Sequence, residues 1–223
     1  MKICIVITGI ICDYFLEDLI NCYKNCEYAK IITTWNYIDS TIIEKLKENN
    51  FLIIQSDFPL NIHPNSVNYQ NYSGKIGIDY AESIGFTHIL KFRADMKCND
   101  INKLLTIYKN IYKENKMIFL CHFHNVPEGY LVDYIHFGNI NDTKKYICNF
   151  QNINDNRFPE KFRQEECYGT SDLNIINISV IYSGQNLLEN NIDFVFLKRA
   201  YARNINVLKG LVNCNTNWGF SSF

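Results

Sequence analysis

Lys91-Phe92-Arg93-Ala94-Asp95 places one carboxylate beside two cations. The stretch from Thr87 to Met96 reads as a buried strand, with Ile89, Leu90 and Phe92 as its apolar body, running straight into that charged cluster. In open α/β sheets the loops beyond the carboxyl ends of the strands form the ligand crevice, so Asp95 is expected at its mouth. A lone carboxylate there suits a Mg²⁺ or Mn²⁺ that keeps several waters and binds chiefly to a ligand's phosphates. The plainer alternative is a surface ion pair at a strand end.

Other residues have similar double readings. Thr8-Gly9 closes an apolar run and suits a close backbone approach to a nucleotide, or an ordinary turn. No Gly-x-Gly-x-x-Gly follows, so a dinucleotide fingerprint is excluded. His136, three residues after Asp133, could complete a metal or phosphate contact, or could be a satisfied core histidine. Glu160, Glu165 and Glu166 lie on or near one expected helix. They are either solvated carboxylates or candidates for the general base that an inverting group transfer needs near its acceptor hydroxyl. Phe158-Pro159 favours an extended entry and a helix start, which puts Glu160 in the first turn, where the helix dipole keeps a carboxylate ionised. A zinc site from Cys98, Cys121, His122 and His124 matches no ligand spacing, and both histidines read as structural.

The elements that must position these groups alternate strand and helix in the first half, as in a parallel sheet with covering helices. Strands are expected at Ile3 to Thr8, Ala29 to Trp35, Phe51 to Gln55 and from Thr87. The helices between them carry Phe15, Leu16, Leu19, Ile20, Tyr23 and Cys26, then Ser40 to Glu48, then Ser73 to Gly85. Ser40 with Glu44 resembles a capping signal, and the Asn- and Pro-containing stretch from Leu60 to Asn71 reads as irregular. After Asp95, Asn99-Asp100 caps a long helix, and strands follow at Met117 to Phe123 and Tyr130 to Phe137. A short helix from Asn141 to Phe150 comes next, then looser apolar runs and a C-terminal arm or lid anchored by Trp218.

The 223 residues read as a single α/β domain: residues 1–98 form a ligand-binding half and 99–223 a less regular half. A net charge of −1 excludes the broad basic face that nucleic acid or an anionic membrane would need. No apolar run reaches the length of a membrane span, and the opening strand is too short for a signal segment. Nine scattered cysteines then read as reduced thiols used as small core residues, Cys22 and Cys26 sharing one helix face, and the expected location is cytoplasmic.

The order and spacing of several segments resemble the WavE lipopolysaccharide-synthesis family of glycosyltransferases, within the GT-A nucleotide-sugar transferase fold. The segments are Ile5-Val6-Ile7-Thr8-Gly9-Ile10, Ile31-Ile32-Thr33-Thr34-Trp35, Gly77-Ile78-Asp79-Tyr80-Ala81 and Leu90-Lys91-Phe92-Arg93-Ala94-Asp95. Asp133-Tyr134-Ile135-His136-Phe137-Gly138 and Phe158-Pro159-Glu160 complete the set. The resemblance covers roughly residues 1–170, and its Lys-x-Arg-x-Asp core is the most specific element. It implies a GT-A-like (Rossmann-like) mixed, mostly parallel sheet flanked by helices. It also implies transfer of a sugar from a nucleotide-diphosphate donor to a glycan or other hydroxyl acceptor. Thr8, Gly9 and Asp57 would lie near base and ribose, although Asp57 reads equally as a turn-former after the third strand, and Asp95 would hold Mn²⁺ or Mg²⁺ on the diphosphate. Lys75, Lys91 and Arg93 would add positive charge, and Glu160 would be the base, with Glu165 or Glu166 as the fallback and Asp133 after them. One departure stands out: the usual acidic motif of the fold is Asp-x-Asp, and Arg93 occupies the place of its first Asp. That departure supports a rival reading, a nucleotide- or glycan-binding module without turnover. A structural α/β scaffold with incidental charges is the third.

Overall fold

The computed structural model describes residues 1–58, 66–112, 116–119, 135–147, 157, 162, 174–177 and 194–196. Strands β1 (Ile3–Thr8) and β2 (Ala29–Trp35) are buried almost end to end, as expected of parallel strands covered on both faces. Helix α1 (Asp13–Tyr23) joins them and turns Phe15, Leu16, Leu19, Ile20 and Tyr23 inward. Helix α2 (Ser40–Glu48) leads to β3 (Phe51–Ser56), and α3 (Ser66–Ser83) to β4 (His88–Arg93). After β5 (Met96–Cys98) and α4 (Ile101–Ile111) come β6 (Lys116–Phe119), β7 (Ile135–Asn139) and α5 (Ile140–Ile147). Two short strands, β8 (Asn174–Asn177) and β9 (Phe194–Phe196), complete the described elements.

The main sheet has seven strands in the order β3-β2-β1-β4-β7-β6-β8, and β5 pairs with β9 in a small second sheet. Strands β1 to β4 run parallel, β7 opposes β4 and β6, and β8 follows β6, so β7 alone runs against the other six. This is the expected GT-A-like α/β fold in one domain. Helices α1, α2 and α4 pack on one face and α3 and α5 on the other, each face with its own apolar cluster. The chain moves outward from β1 to β2 to β3, then returns through α3 to β4 on the opposite side of β1. The order therefore reverses between β1 and β4, and the crevice of such a sheet lies outside the carboxyl ends at that switch point.

Four local expectations are corrected. Helix α3 begins at Ser66, seven residues before the expected Ser73, and takes in part of the stretch read as irregular. Its first turns bury Asn68, Asn71 and Ser73 where apolar residues would have carried the helical period, so hydrophobic periodicity could not show it. The cap of α2 is Asp39, whose carboxylate accepts from Thr41 N at 2.8 Å, because it stands one residue nearer the turn than Ser40. Cys22 and Cys26 are both partly buried, but α1 ends at Tyr23, so they share no helical turn. The short β5 was not anticipated: three residues beyond a charged cluster carry too little pattern. Asp100 caps α4 as expected, accepting from Lys103 N at 2.9 Å.

Candidate active site

Parallel register sets Thr8 of β1 beside Arg93 of β4, and Ala94 N donates to Thr8 O at 2.9 Å. The two strand ends flanking the switch point are thus tied together just where the chain turns away. Gly9, the next residue, has φ +133°, a backbone state that favours glycine. A Cβ there would lie 3.5 Å from Ala94 Cβ, in ordinary contact, so the dihedral rather than lack of room is what requires glycine.

Side chains alternate along a strand, and partnered residues point the same way. Val6 lies against α3, so Thr8, Lys91 and Arg93 face α3 as well. Lys91 also partners His136 on β7, whose ring meets Tyr146 of α5 edge-on at 5.2 Å. Across this face, toward the carboxyl ends, runs a buried polar row: Thr33, Thr8, Lys91 and His136, each no more than 2% exposed. Thr33 Oγ1 and Ser73 Oγ share a hydrogen bond of 2.8 Å. Thr8 Oγ1 is buried yet makes no hydrogen bond to any described residue. A buried hydroxyl without a partner is costly, which makes it a natural place for a ligand atom.

Arg93 and Asp95 form a side-on fork. Nε donates to Oδ1 and Nη2 to Oδ2, both at 2.8 Å, and the Asp95 side chain is 6% exposed. Such bidentate pairs are the most directional of charge-assisted hydrogen bonds. A divalent cation on Asp95 would have to share this nearly buried carboxylate with the guanidinium. Among the described residues no three His, Cys, Asp or Glu side chains converge on a point that could hold a metal. With the Asp95 side chain 6% exposed and both its oxygens engaged by Arg93, the described residues do not fit a Mn²⁺ or Mg²⁺ there without rearrangement.

Two further candidates lie away from this cluster. Lys75 is half exposed on α3 and ion-paired with Asp79 one turn on. Asp79 also meets Lys144 of α5 at 2.7 Å, and Lys144 reaches Glu82 at 2.6 Å. Burial works against ionisation of Asp79, but the hydrogen bonds from Lys144 and Lys75 outweigh it and hold its carboxyl below the usual range. The bonds to Asp79 and then Glu82 raise Lys144 in turn. Asp57 sits at the end of β3, exposed, where Asn36 Nδ2 donates to its Oδ1 at 2.7 Å. It is two strands from β1 and beside a cluster of Trp35, Tyr37, Phe58, Tyr69 and Tyr72 rings.

Asp133, Glu160, Glu165 and Glu166, the candidate bases, lie outside the described residues, as do Cys121, His122 and His124. Among the described residues no helix is long and apolar enough to cross a membrane. Sequence reasoning missed the buried Asn68 and Asn71, and Ser73, which brings a hydroxyl from α3 onto the face of the polar row. The signal was present in the helix itself. Gly74 and Gly77 mark close approach, and at Gly77 a Cβ would come within 2.6 Å of Val6 Cγ1 and 2.8 Å of Thr33 Cγ2.

No family model matches the chain, and no curated protein matches it in sequence. Among solved structures it is similar to TarS 1–349 of S. aureus, with a TM-score of 0.51 and 11% identity over 79% of this chain and 58% of that one. A glycosyltransferase involved in glycosylation of the major capsid of PBCV-1 gives 0.47 at 13% identity, covering 79% and 81%. A cytidylyltransferase from Leptospira borgpetersenii gives 0.48 at 13%, covering 79% and 75%. At such identities the likeness is one of fold, and the TarS structure carries it.

Proposed function

We propose that this chain is a glycosyltransferase that moves a sugar from a nucleotide-diphosphate donor to a glycan or other hydroxyl acceptor, of the kind the WavE resemblance implies. One observation carries the reading. The register-paired ends of β1 and β4, at the switch point, bring a glycine-requiring turn, an unspent buried hydroxyl and a cationic cluster to one place. A backbone that can approach closely and a group of fixed cations are what a diphosphate needs.

The donor's phosphates would lie over Thr8-Gly9 and Arg93, with base and ribose toward Asp57 across the strand ends. At about 4.8 Å per strand, the step from β4 to β2 or β3 is about 10–14 Å, which a nucleoside diphosphate laid along the edge can bridge. In the reaction the acceptor oxygen bonds to the anomeric carbon while the bond from that carbon to the donor's phosphate oxygen breaks. The electron pair leaves on the diphosphate. Arg93 and Lys91 stabilise that developing negative charge, and charges fixed in place before the reaction are a main source of rate enhancement in such transfers. The hydroxyl proton passes to a carboxylate of the second half, Glu160 first, then Glu165, Glu166 or Asp133. No step here is routed through a metal, since the described side chains at Asp95 do not fit one. A cytoplasmic site of action accompanies the proposal.

The Arg93–Asp95 fork also favours a second reading, a binding module whose acidic motif no longer turns over. Incubation with nucleotide-diphosphate sugars separates the two. Release of free nucleoside diphosphate supports the transferase, and saturable donor binding without release supports the module. Failure of every nucleotide to bind would overturn both.

A further inference from the structure

We infer that Arg93, held in place by Asp95, supplies the positive charge at the donor's diphosphate that a divalent metal supplies where the motif is Asp-x-Asp. Asp95 is then a positioning residue and not a metal ligand. The inference rests on the nucleotide-diphosphate reading above and specifies how that site meets its phosphates.

The geometry is what separates the two roles. A carboxylate that is to take a metal needs an oxygen facing the crevice. Both oxygens of Asp95 each accept one N–H from Arg93, at matching distances of 2.8 Å, and with the side chain only 6% exposed little of the carboxylate is open to a hydrated cation. This fork fixes the guanidinium plane, and an arginine so fixed loses less freedom on binding a phosphate than a mobile one. The location agrees. Arg93 is the last residue of β4, partnered with Thr8, and Ala94 N is tied to Thr8 O, so the backbone beneath the fork is set by the sheet. Its side chain is 17% exposed against 6% for Asp95, so the cation is the member of the pair nearer the solvent side.

The location within the chain points the same way. Lys91 and Arg93 share one face of β4, and Asp95 follows in the turn between β4 and β5, so the fork stands where the chain leaves the sheet. With Arg93 in place of the first acid of the motif, the remaining acid is engaged by that arginine, and the fork shows what it does instead.

The test is calorimetric titration of the full chain with UDP, GDP and inorganic pyrophosphate, first in EDTA and then with Mn²⁺. At least one nucleoside diphosphate should bind in EDTA, with a Kd within threefold of its value in Mn²⁺. Arg93→Lys keeps the charge and loses the fork, and should weaken that binding tenfold or more. Asp95→Ala should weaken binding in the native background but have no further effect in an Arg93→Ala background, because Asp95 acts only through Arg93. A residue that merely supported the fold would cost stability equally in both backgrounds, so thermal unfolding of all four proteins is measured alongside. Binding that appears only with Mn²⁺ and is abolished by Asp95→Ala would make Asp95 a metal ligand. That outcome overturns the inference and leaves the nucleotide reading standing. No binding of any probe under either condition would overturn both.

Discussion

The two faces of the sheet follow different rules. Under α1, α2 and α4 the packing is close to continuous: Ile5, Ile7, Leu16, Leu19, Phe92, Leu104 and Tyr108 are at most 1% exposed. Tyr23 meets Phe51 and Phe92 edge-on at 5.9 and 6.0 Å. Its main charged intruder, Lys30, has a structural task. Its Nζ lies 4.9 Å from the centre of the Phe51 ring and donates to Tyr23 O and Asn49 O, closing the ends of α1 and α2. Under α3 and α5 the face is apolar only near the amino ends, around Cys4, Ile31 and Ile89. Toward the carboxyl ends it turns polar, with Thr8, Thr33, Lys91 and His136 on strands and Ser73 on α3. One face is built for stability. The other gives up apolar packing where the ligand crevice of such a fold lies, the pattern expected where local rules yield to function.

Phe92 and its chain neighbours test that contrast most strongly. Phe92→Ala empties a fully buried site on the packed face and should cost about 3–5 kcal/mol. Urea unfolding reads the loss, and nucleotide affinity per folded molecule should not change. A selective loss of affinity instead would mean that the packed face also shapes the site.

Gly77→Ala comes next, on the opposite face. The added methyl would stand 2.6 Å from Val6 Cγ1 and 2.8 Å from Thr33 Cγ2, and both neighbours are β-branched side chains with little freedom to yield. α3 must lift from the sheet, at about 1–3 kcal/mol by the cost of overpacking. Because α3 carries Ser73, which holds Thr33 of the polar row, nucleotide affinity should fall together with stability, unlike Phe92→Ala. Stability and affinity measured on the same variant decide it.

These contrasts also explain how much was legible beforehand. β1, β2 and α2 were readable to the residue because continuous β-branched runs and plain amphipathic spacing leave few alternatives. Asp95, Arg93 and Thr8-Gly9 were readable as a candidate cluster because strand ends in such sheets are where ligands go. The start of α3 was hidden by its buried asparagines, since a helix that buries polar groups lacks the apolar stripe by which helices are recognised. The Arg93–Asp95 fork was hidden for a different reason: two residues apart at a strand end, the pair reads equally as neighbours of a ligand or of each other.

Thr8→Val and Thr33→Val make a finer comparison within the polar row. Thr33 Oγ1 shares a hydrogen bond with Ser73, so valine there should cost about 1 kcal/mol. Thr8 Oγ1 has no such bond among the described residues, so valine, nearly the same shape, should leave stability unchanged or raise it by up to about 1 kcal/mol. Nucleotide binding should respond in the opposite sense at Thr8, weakening by about 0.5–1.5 kcal/mol, the net worth of one hydrogen bond. Loss of stability at Thr8 with affinity intact would return that hydroxyl to the structural class.

The smallest effect belongs to the tie between α3 and α5, the outer edge of the polar face. Asp79 is held below the usual carboxylate range by Lys144 and Lys75 against the opposing pull of burial, and Lys144 is raised by Asp79 and Glu82. The signs fix the pH window. A depressed carboxyl contributes stability above its unfolded value, about 3.9, and loses it as pH falls through the lower folded value. A raised lysine contributes below its unfolded value, about 10.4, and loses that as pH rises through the higher folded one. Between these limits the tie is complete, so Lys144→Met should destabilise at neutral pH and lose its effect at both extremes. The groups are partly solvated, so the neutral-pH loss should stay within about 1 kcal/mol and shrink with added salt. Nucleotide affinity at neutral pH should be untouched, because Lys144 and Lys75 stand with Asp79 on the helix surface, away from the strand ends. Urea unfolding of native and Lys144→Met chains at pH 3, 7 and 11 reads the stability, and calorimetry at pH 7 the affinity. A fall in affinity at pH 7 would put the α3–α5 edge, and Lys75 with it, back among the residues that meet the donor.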